Sequence, residues 1–302
     1  MSKKTTKPQK THTVLVLDKS YSMNGTQEET VKGVNEQIRT AKAAEGEVFL
    51  SLVAFDDEVY EYFWDTPAKD LEEMPYSAYV PDGNTALWDG AYYAVEKLKK
   101  TVKADDDTAF LIVIITDGQE NASRHCGRTS QEAEQNFAAM RKELEDSGKW
   151  TFTFVGCDTG YILRVAKNVG INVSNCALWS NKSAESTSRG TKRLARASSN
   201  YYAGRARGIT AQCCVMSDSE DMMADFTTDL GDADPVVAAD PVVAPLVDPI
   251  GNPLNVPPMY NTCNKVDFNN PLGVSVGDQS WASSSTTGST AYNSANKVTW
   301  NG

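Results

Sequence analysis

No stretch of this 302-residue chain keeps apolar residues together for anything near the roughly 20 positions that a membrane-spanning helix needs. That excludes a helical membrane anchor, and the reading carries no membrane contact. The six cysteines (Cys126, Cys157, Cys176, Cys213, Cys214, Cys263) contain no C-x-x-C pair, and Cys213 and Cys214 are adjacent rather than metal-spaced. They read as reduced, mostly buried thiols of a cytoplasmic protein. Only two histidines occur, His12 and His125; neither has a partner pattern, and both read as surface residues. Positive charge is in deficit, with 29 Lys and Arg against 40 Asp and Glu, a net charge of -11 and a pI near 4.8. Such a balance argues against a general nucleic-acid coat and favours solubility or cationic partners.

What is present is an α/β alternation. From residue 11 to about 179, short β-branched apolar runs alternate with segments of helical period. The runs are THTVLVL (11–17), EVFLSLVAF (47–55), EVYEYFW (58–64), TAFLIVIIT (108–116), TFTFVGC (151–157) and NCALW (175–179). The LIVII core of the fourth is apolar without alternation, as a strand covered on both faces should be. Only Asp56 and Asp57 separate the second and third runs, so these form a hairpin with one antiparallel edge strand. Helices are expected through Val31, Val34, Ile38 and Ala41, through Leu87, Ala91, Val95 and Leu98, and through Ala133, Phe137, Met140 and Leu144. A shorter one carries Ile162, Leu163, Val165 and Ala166 and stops at NVG (168–170), and a basic one lies around 190–203.

The expected organisation is a flexible leader (1–10), a doubly wound, mostly parallel α/β domain (11–215), an acidic and then Pro-rich linker (216–258), and a Ser/Thr/Asn-rich C-terminal arm (259–302). The start is positively charged like a signal n-region, but its apolar stretch stops at Asp18 with no small-residue cleavage site following. The linker repeats a D-P-V-V unit at 234–237 and 240–243, and its prolines forbid a helix interior or a central strand. The arm reads either as disordered or as a segment that orders only against a partner.

Two strands run directly into aspartates at the end of the sheet where open α/β folds bind ligands. VLVL is followed by Asp18, with Ser20 and Ser22 at alternate positions beyond it; LIVIIT is followed by Asp117 and Gly118. A third segment, PDGNTALWDG, puts Thr85 just ahead of an amphipathic helix. Two carboxylates and three hydroxyls are hard oxygen donors, suited to Mg²⁺ (with Mn²⁺ or Ca²⁺ as alternatives) rather than to soft metals. So few charged ligands leave an open position for a carboxylate from outside. Each residue also has a plainer reading: Asp18 or Asn24 as a helix cap, the serines as turn residues, Thr85 as an N-cap. Asp89 reads as an acid in the first turn of its helix, with a supporting role behind the metal ligands as the alternative.

The segments DKSYS (18–22), GNTALWDG (83–90) and ITDGQEN (115–121), in this order along an α/β chain, closely resemble the metal ion-dependent adhesion site of von Willebrand factor type A domains. The resemblance covers roughly residues 11 to 215. It implies a doubly wound sheet with one antiparallel edge strand. It further implies that Ser20 and Ser22 contact the ion directly, that Asp18 and Asp117 act mainly through water, and that Thr85 joins directly or through water. The sixth position goes to a Glu or Asp carboxylate of a protein partner. Tyr21, Asn84 and Gly118 then form the partner-binding rim; Tyr21 departs from the glycine that many members carry between the serines.

The function expected is a non-enzymatic, metal-dependent protein-binding module. An aspartyl phosphotransferase would also place an aspartate beside Mg²⁺, but hydroxyls stand here where it needs a second acid, and Lys19 should point away from Asp18. The alternative is an assembly protein, similar to small A-domain proteins of bacteria and their phages. There the domain is a scaffold and the C-terminal arm makes self-contacts or virion contacts, in the host cytoplasm or on the particle. Nucleic-acid binding rests on Lys182, Arg189, Lys192, Arg193, Arg196, Arg205 and Arg207 with Tyr201 and Tyr202 interleaved, and is disfavoured against the reading of a solvated helix face.

Overall fold

The computed structural model describes residues 9–179, 184–209, 273–276 and 295–301. The linker region 216–258 and most of the arm lie outside the described residues, as does the leader up to residue 8.

Strand β1 (Lys10–Asp18) lies at the centre of the sheet, flanked by β2 (Glu47–Phe55) and β4 (Thr108–Ile115), both parallel to it. Beyond β4 come β5 (Trp150–Gly156) and β6 (Cys176–Leu178), also parallel. Beyond β2 the direction reverses in β3 (Val59–Pro67), as the two-aspartate turn requires. The register pairs Asp18 with Phe55 and Leu17 with Ile115, so the carboxyl ends of the three middle strands finish level with one another. Chain direction from β1 leads to β2 on one side and later to β4 on the other, which makes the gap beside Asp18 the topological switch point.

Both faces of the central strands are covered. Val14 and Val16 on one face of β1 and Leu15 and Leu17 on the other are all fully buried, and every residue of β4 is buried. Helices α1 (Gln27–Ala43) and α5 (Ala184–Ala206) pack together, joined by Ser198 Oγ donating to Gln37 Oε1 at 2.8 Å. Helices α2 (Leu87–Thr101), α3 (Ser130–Asp146) and α4 (Thr159–Val169) form the second group, where Trp88 stacks on Phe137 and Phe137 meets Phe152 edge-on. The expected stop of α4 is present: Gly170 takes φ +84°, the left-handed conformation that ends a helix without Cβ strain.

Three expectations are corrected. The antiparallel side of the sheet does not end at β3. Residues Asn296–Asn301 of the C-terminal arm form β8, antiparallel to β3, and Gly273–Val276 form β7, antiparallel to β8, giving the order β6-β5-β4-β1-β2-β3-β8-β7. The Ser/Thr/Asn-rich composition concealed a short alternation, N-K-V-T-W-N, in which Val298 reaches the core. His12 is not a surface residue. At 6% exposure it stacks on Phe49 with centroids 4.7 Å apart, and its Nδ1 lies 2.6 Å from Asp65 Oδ1, because β1 begins at Lys10 and is covered over its whole length. Tyr201 and Tyr202, considered for base stacking, lie in α5 and are buried at 3% and 2% exposure, and the Tyr202 hydroxyl lies 3.1 Å from Thr13 Oγ1. Neither ring is available to a nucleic acid.

Candidate metal centre

Asp18 is fully buried at the end of β1, which is rare for a carboxylate without compensation. Compensation comes from two sides. Ser20 N–H donates to Oδ1 at 2.7 Å, and Thr116, the residue that follows β4, donates its hydroxyl to Oδ2 at 2.5 Å. Burial nevertheless dominates, with the Asp117 charge adding to it, and together they push the Asp18 carboxyl up to about 6. A cation beside it would relieve that penalty.

The D-x-S-x-S loop then turns sharply. Tyr21–Met23 form a single 3-10 turn, and Ser20 Oγ and Ser22 Oγ come to 3.0 Å from each other. Ser22 donates to Asp117 Oδ1 at 2.6 Å, so the first and third segments are joined through their hydroxyl and carboxylate. Thr85 arrives from the second segment, held by reciprocal bonds. Its N–H donates to Asn121 Oδ1 at 2.9 Å, and its carbonyl accepts from Asn121 and Ala122 N–H at 3.1 and 3.2 Å. Of the plainer readings, those as helix caps fail, whereas Ser20 and Ser22 do lie in a turn. Helix α2 is preceded by Ala86 at its cap and α1 by Thr26, neither with a side-chain cap bond, so Thr85, Asp18 and Asn24 are not spent on capping.

Gly118 locates the centre of the cluster. A methyl group placed on it would come within 3.3 Å of Ser22 Oγ and Thr85 Oγ1 and within 3.8 Å of Asp18 Oδ2. Side-chain oxygens from the first and second segments therefore face one small space that the glycine of the third leaves open. Among the described residues no group of three or more His, Cys, Asp or Glu could hold a metal. Any ion here depends on hydroxyls, and the donor set of Asp18, Ser20, Ser22, Thr85 and Asp117 fits a hard divalent cation.

The rim residues divide. Tyr21 is 69% exposed, its backbone N–H donating to Gly83 O at 3.0 Å, and its ring stands free at the mouth. Asn84 is exposed but tied, donating from its backbone and side chain to the two Asp57 oxygens at 2.9 and 2.7 Å. Lys19 turns away as expected, to Asp56 at 2.5 Å and over the Tyr60 ring.

Thr116, Tyr79 and Glu120 shape the site and were not singled out in the sequence, and Asp89 does more there than its first-turn reading implied. For Thr116, its place between a buried strand and Asp117 was the available signal. Tyr79 donates its hydroxyl to the Asp18 carbonyl at 2.6 Å, a contact 61 positions away that no local pattern announces. Glu120 gathers the metal loop: its carboxylate accepts from the N–H groups of Ala122 and Ser123 at 2.9 and 2.7 Å and from Ser130 Oγ at 3.0 Å. Asp89, read as a first-turn acid, is 1% exposed and accepts from the N–H groups of Arg124, His125 and Cys126 at 2.8, 3.0 and 2.9 Å. It anchors the continuation of the loop that carries Asp117.

No family model matches the chain, and no curated protein does. Among solved structures it is similar to proximal thread matrix protein 1 of the mussel byssus, at 17% identity over 62% of this chain and 46% of that one, with a TM-score of 0.45. A structure of the same mussel protein has a zinc-occupied metal site. It is also similar to a von Willebrand factor type A protein of Catenulispora acidiphila (12%, 63% and 43%, TM-score 0.45) and to the manganese-loaded TRAP protein of Plasmodium vivax (12%, 57% and 69%, TM-score 0.41). The chain spans less than half the length of the first two. By its own strand order, with parallel strands around β1, an antiparallel β3 and loops from β1, α2 and β4 meeting at one end, the chain has the doubly wound, mostly parallel α/β fold that the resemblance to von Willebrand factor type A domains implies.

Proposed function

We propose that this chain is a divalent-metal-dependent protein-binding module that recognises an exposed Glu or Asp of a partner. The observation that carries the reading is the space beside Gly118, faced by Ser22 Oγ, Thr85 Oγ1 and Asp18 Oδ2. Asp18, Ser20, Ser22, Thr85 and Asp117 would hold the ion, with Mg²⁺ the proposed species and Mn²⁺ or Ca²⁺ as alternatives. When bound, the ion supplies positive charge at an open coordination position, which attracts a carboxylate into a site whose own side chains are acidic. Tyr21 adds an exposed ring beside that position, and Asn84 with Gly118 borders it.

The chain's own residues favour binding over turnover. Lys19, the cation adjacent to Asp18, is engaged by Asp56, and both Asp18 oxygens already accept hydrogen bonds, which leaves the carboxylate poorly disposed as a nucleophile. The three described cysteines, Cys126, Cys157 and Cys176, are free, in keeping with the cytoplasmic placement proposed here. Among the described residues no helix is long and apolar enough to cross a membrane.

The test is association with proteins of the host lysate on immobilised full-length chain in Mg²⁺, in EDTA, and with Asp18→Ala in Mg²⁺. Partners present in the first lane and lost in the other two support the reading. Equal capture in all three would remove the metal from recognition and leave the assembly reading.

A further inference from the structure

The C-terminal strand has an unusual attachment. Within the parallel part of the sheet, β1 pairs with β2 from Lys10 to Asp18 and with β4 from Lys10 to Leu17. Strand β8 is paired with the outer edge of β3 only at Tyr60 with Lys297 and Glu61 with Asn296. Its hold comes chiefly from side chains. Val298 is 3% exposed in the core, and Trp300 stacks on His125 with centroids 4.6 Å apart and meets Tyr93 edge-on at 6.0 Å. Lys297 Nζ lies 3.4 Å from a Glu58 oxygen. Trp300 Nε1 is buried without a hydrogen-bond partner, so even this seat leaves a polar group unsatisfied.

An exposed strand edge with a ready apolar seat is a site for strand addition, where ladder bonds and alternate side-chain pockets act together. Here the seat is filled by the chain itself, across a long interval. Helix α5 ends at Ala206 and β7 begins at Gly273. The 66 positions between them, at up to roughly 3.3 Å each, are enough chain for the strand to reach the equivalent seat on a second copy. Exchange of an identical element between copies keeps every contact and adds none, so it needs little driving force.

We infer that the outer edge of β3, with the seat formed by Tyr93 and His125, is a strand-accepting interface between copies of this chain, and that the β7–β8 hairpin of one copy fills it in another. The aromatic seat also places the exchanged strand against the loop that Asp89 anchors, so assembly and the metal loop share one wall. The proposal does not depend on the reading of the metal centre.

Two populations of full-length protein, one carrying a donor dye and the other an acceptor, are mixed at high concentration, incubated and followed by energy transfer. The expected result is slow growth of transfer, at least about tenfold weaker for Trp300→Ala in both populations and suppressed in the wild type by an excess of a peptide of residues 295–302. The peptide arm uses unaltered protein and stands if the variant fails to fold. Absence of transfer at all concentrations, or transfer indifferent to both the peptide and the substitution, would overturn the proposal.

Discussion

Asp18 carries a conflict that a cation would resolve. Its carboxyl is raised from 3.8 to about 6 by burial, so the protonated form is the one that folding favours. For such a group the stabilising contribution is complete below pH 3.8 and is lost as pH rises through 6, about 3 kcal/mol at most. In EDTA, the melting temperature of wild type relative to Asp18→Asn should therefore fall between pH 4 and pH 6.5. Adding Mg²⁺ at pH 7 should recover the wild type and leave the variant unchanged, and thermal scans over that range read both effects. A difference that stays flat with pH would mean that Asp18 is not strained by its charge. Gly118 offers a second probe. Gly118→Ala brings a methyl within 3.3 Å of two of the hydroxyl oxygens. It should weaken metal affinity by about tenfold or more while leaving the fold intact, as titration calorimetry with circular dichroism would register. At this scale the sequence was informative: the five proposed oxygen ligands are local to three short segments, and their types limit the chemistry. Thr116 and Tyr79 escaped because their relation to Asp18 exists only once β1 and β4 are side by side.

The elements explain why three distant segments meet. Register brings the ends of β1, β2 and β4 level, and two carboxylates then fix the loops: Glu120 within the metal loop and Asp89 beyond it. Asp89→Ala would leave three N–H groups without their acceptor and should destabilise the protein by about 2–4 kcal/mol. Hydrogen exchange at Arg124, His125 and Cys126 should accelerate in the variant, while protection in β4 falls only with global stability. Protection of those amides unchanged by the substitution would show that the loop is held otherwise. The parallel strands and four of the helices were legible from periodicity, since apolar runs and 3.6-residue spacing are backbone properties of the segment itself. The burial of His12 was not, because a polar ring in a strand is decided by what covers it, here Phe49 and Asp65.

For the whole molecule, the domain and the far end of the chain are one folded unit at the edge of the sheet. Val298 and Trp300 sit in a composition that otherwise signals no core, and a strand of six residues leaves only a weak mark in such a background. Its destination on β3 depends on contacts across more than two hundred positions, which no local pattern encodes. Trp300→Ala should lower the melting temperature of the full chain by several degrees, in line with about 1–3 kcal/mol for a half-buried aromatic anchor. It should also leave Mg²⁺ affinity within about threefold of wild type, because the oxygen ligands do not touch the strand. Collapse of metal binding in that variant would mean that the C-terminal strand supports the metal loop directly.

The central claim is that Asp18, Ser20, Ser22, Thr85 and Asp117 together hold one divalent cation. The most direct measurement is Mn²⁺ binding to the EDTA-stripped full-length protein, followed by electron paramagnetic resonance, with Mg²⁺ as competitor and Ser22→Ala as control. The account predicts a single bound ion per chain, displaced by Mg²⁺ and weakened by at least about tenfold in the variant. Mn²⁺ that remains free, or binds equally well to Ser22→Ala, would contradict it.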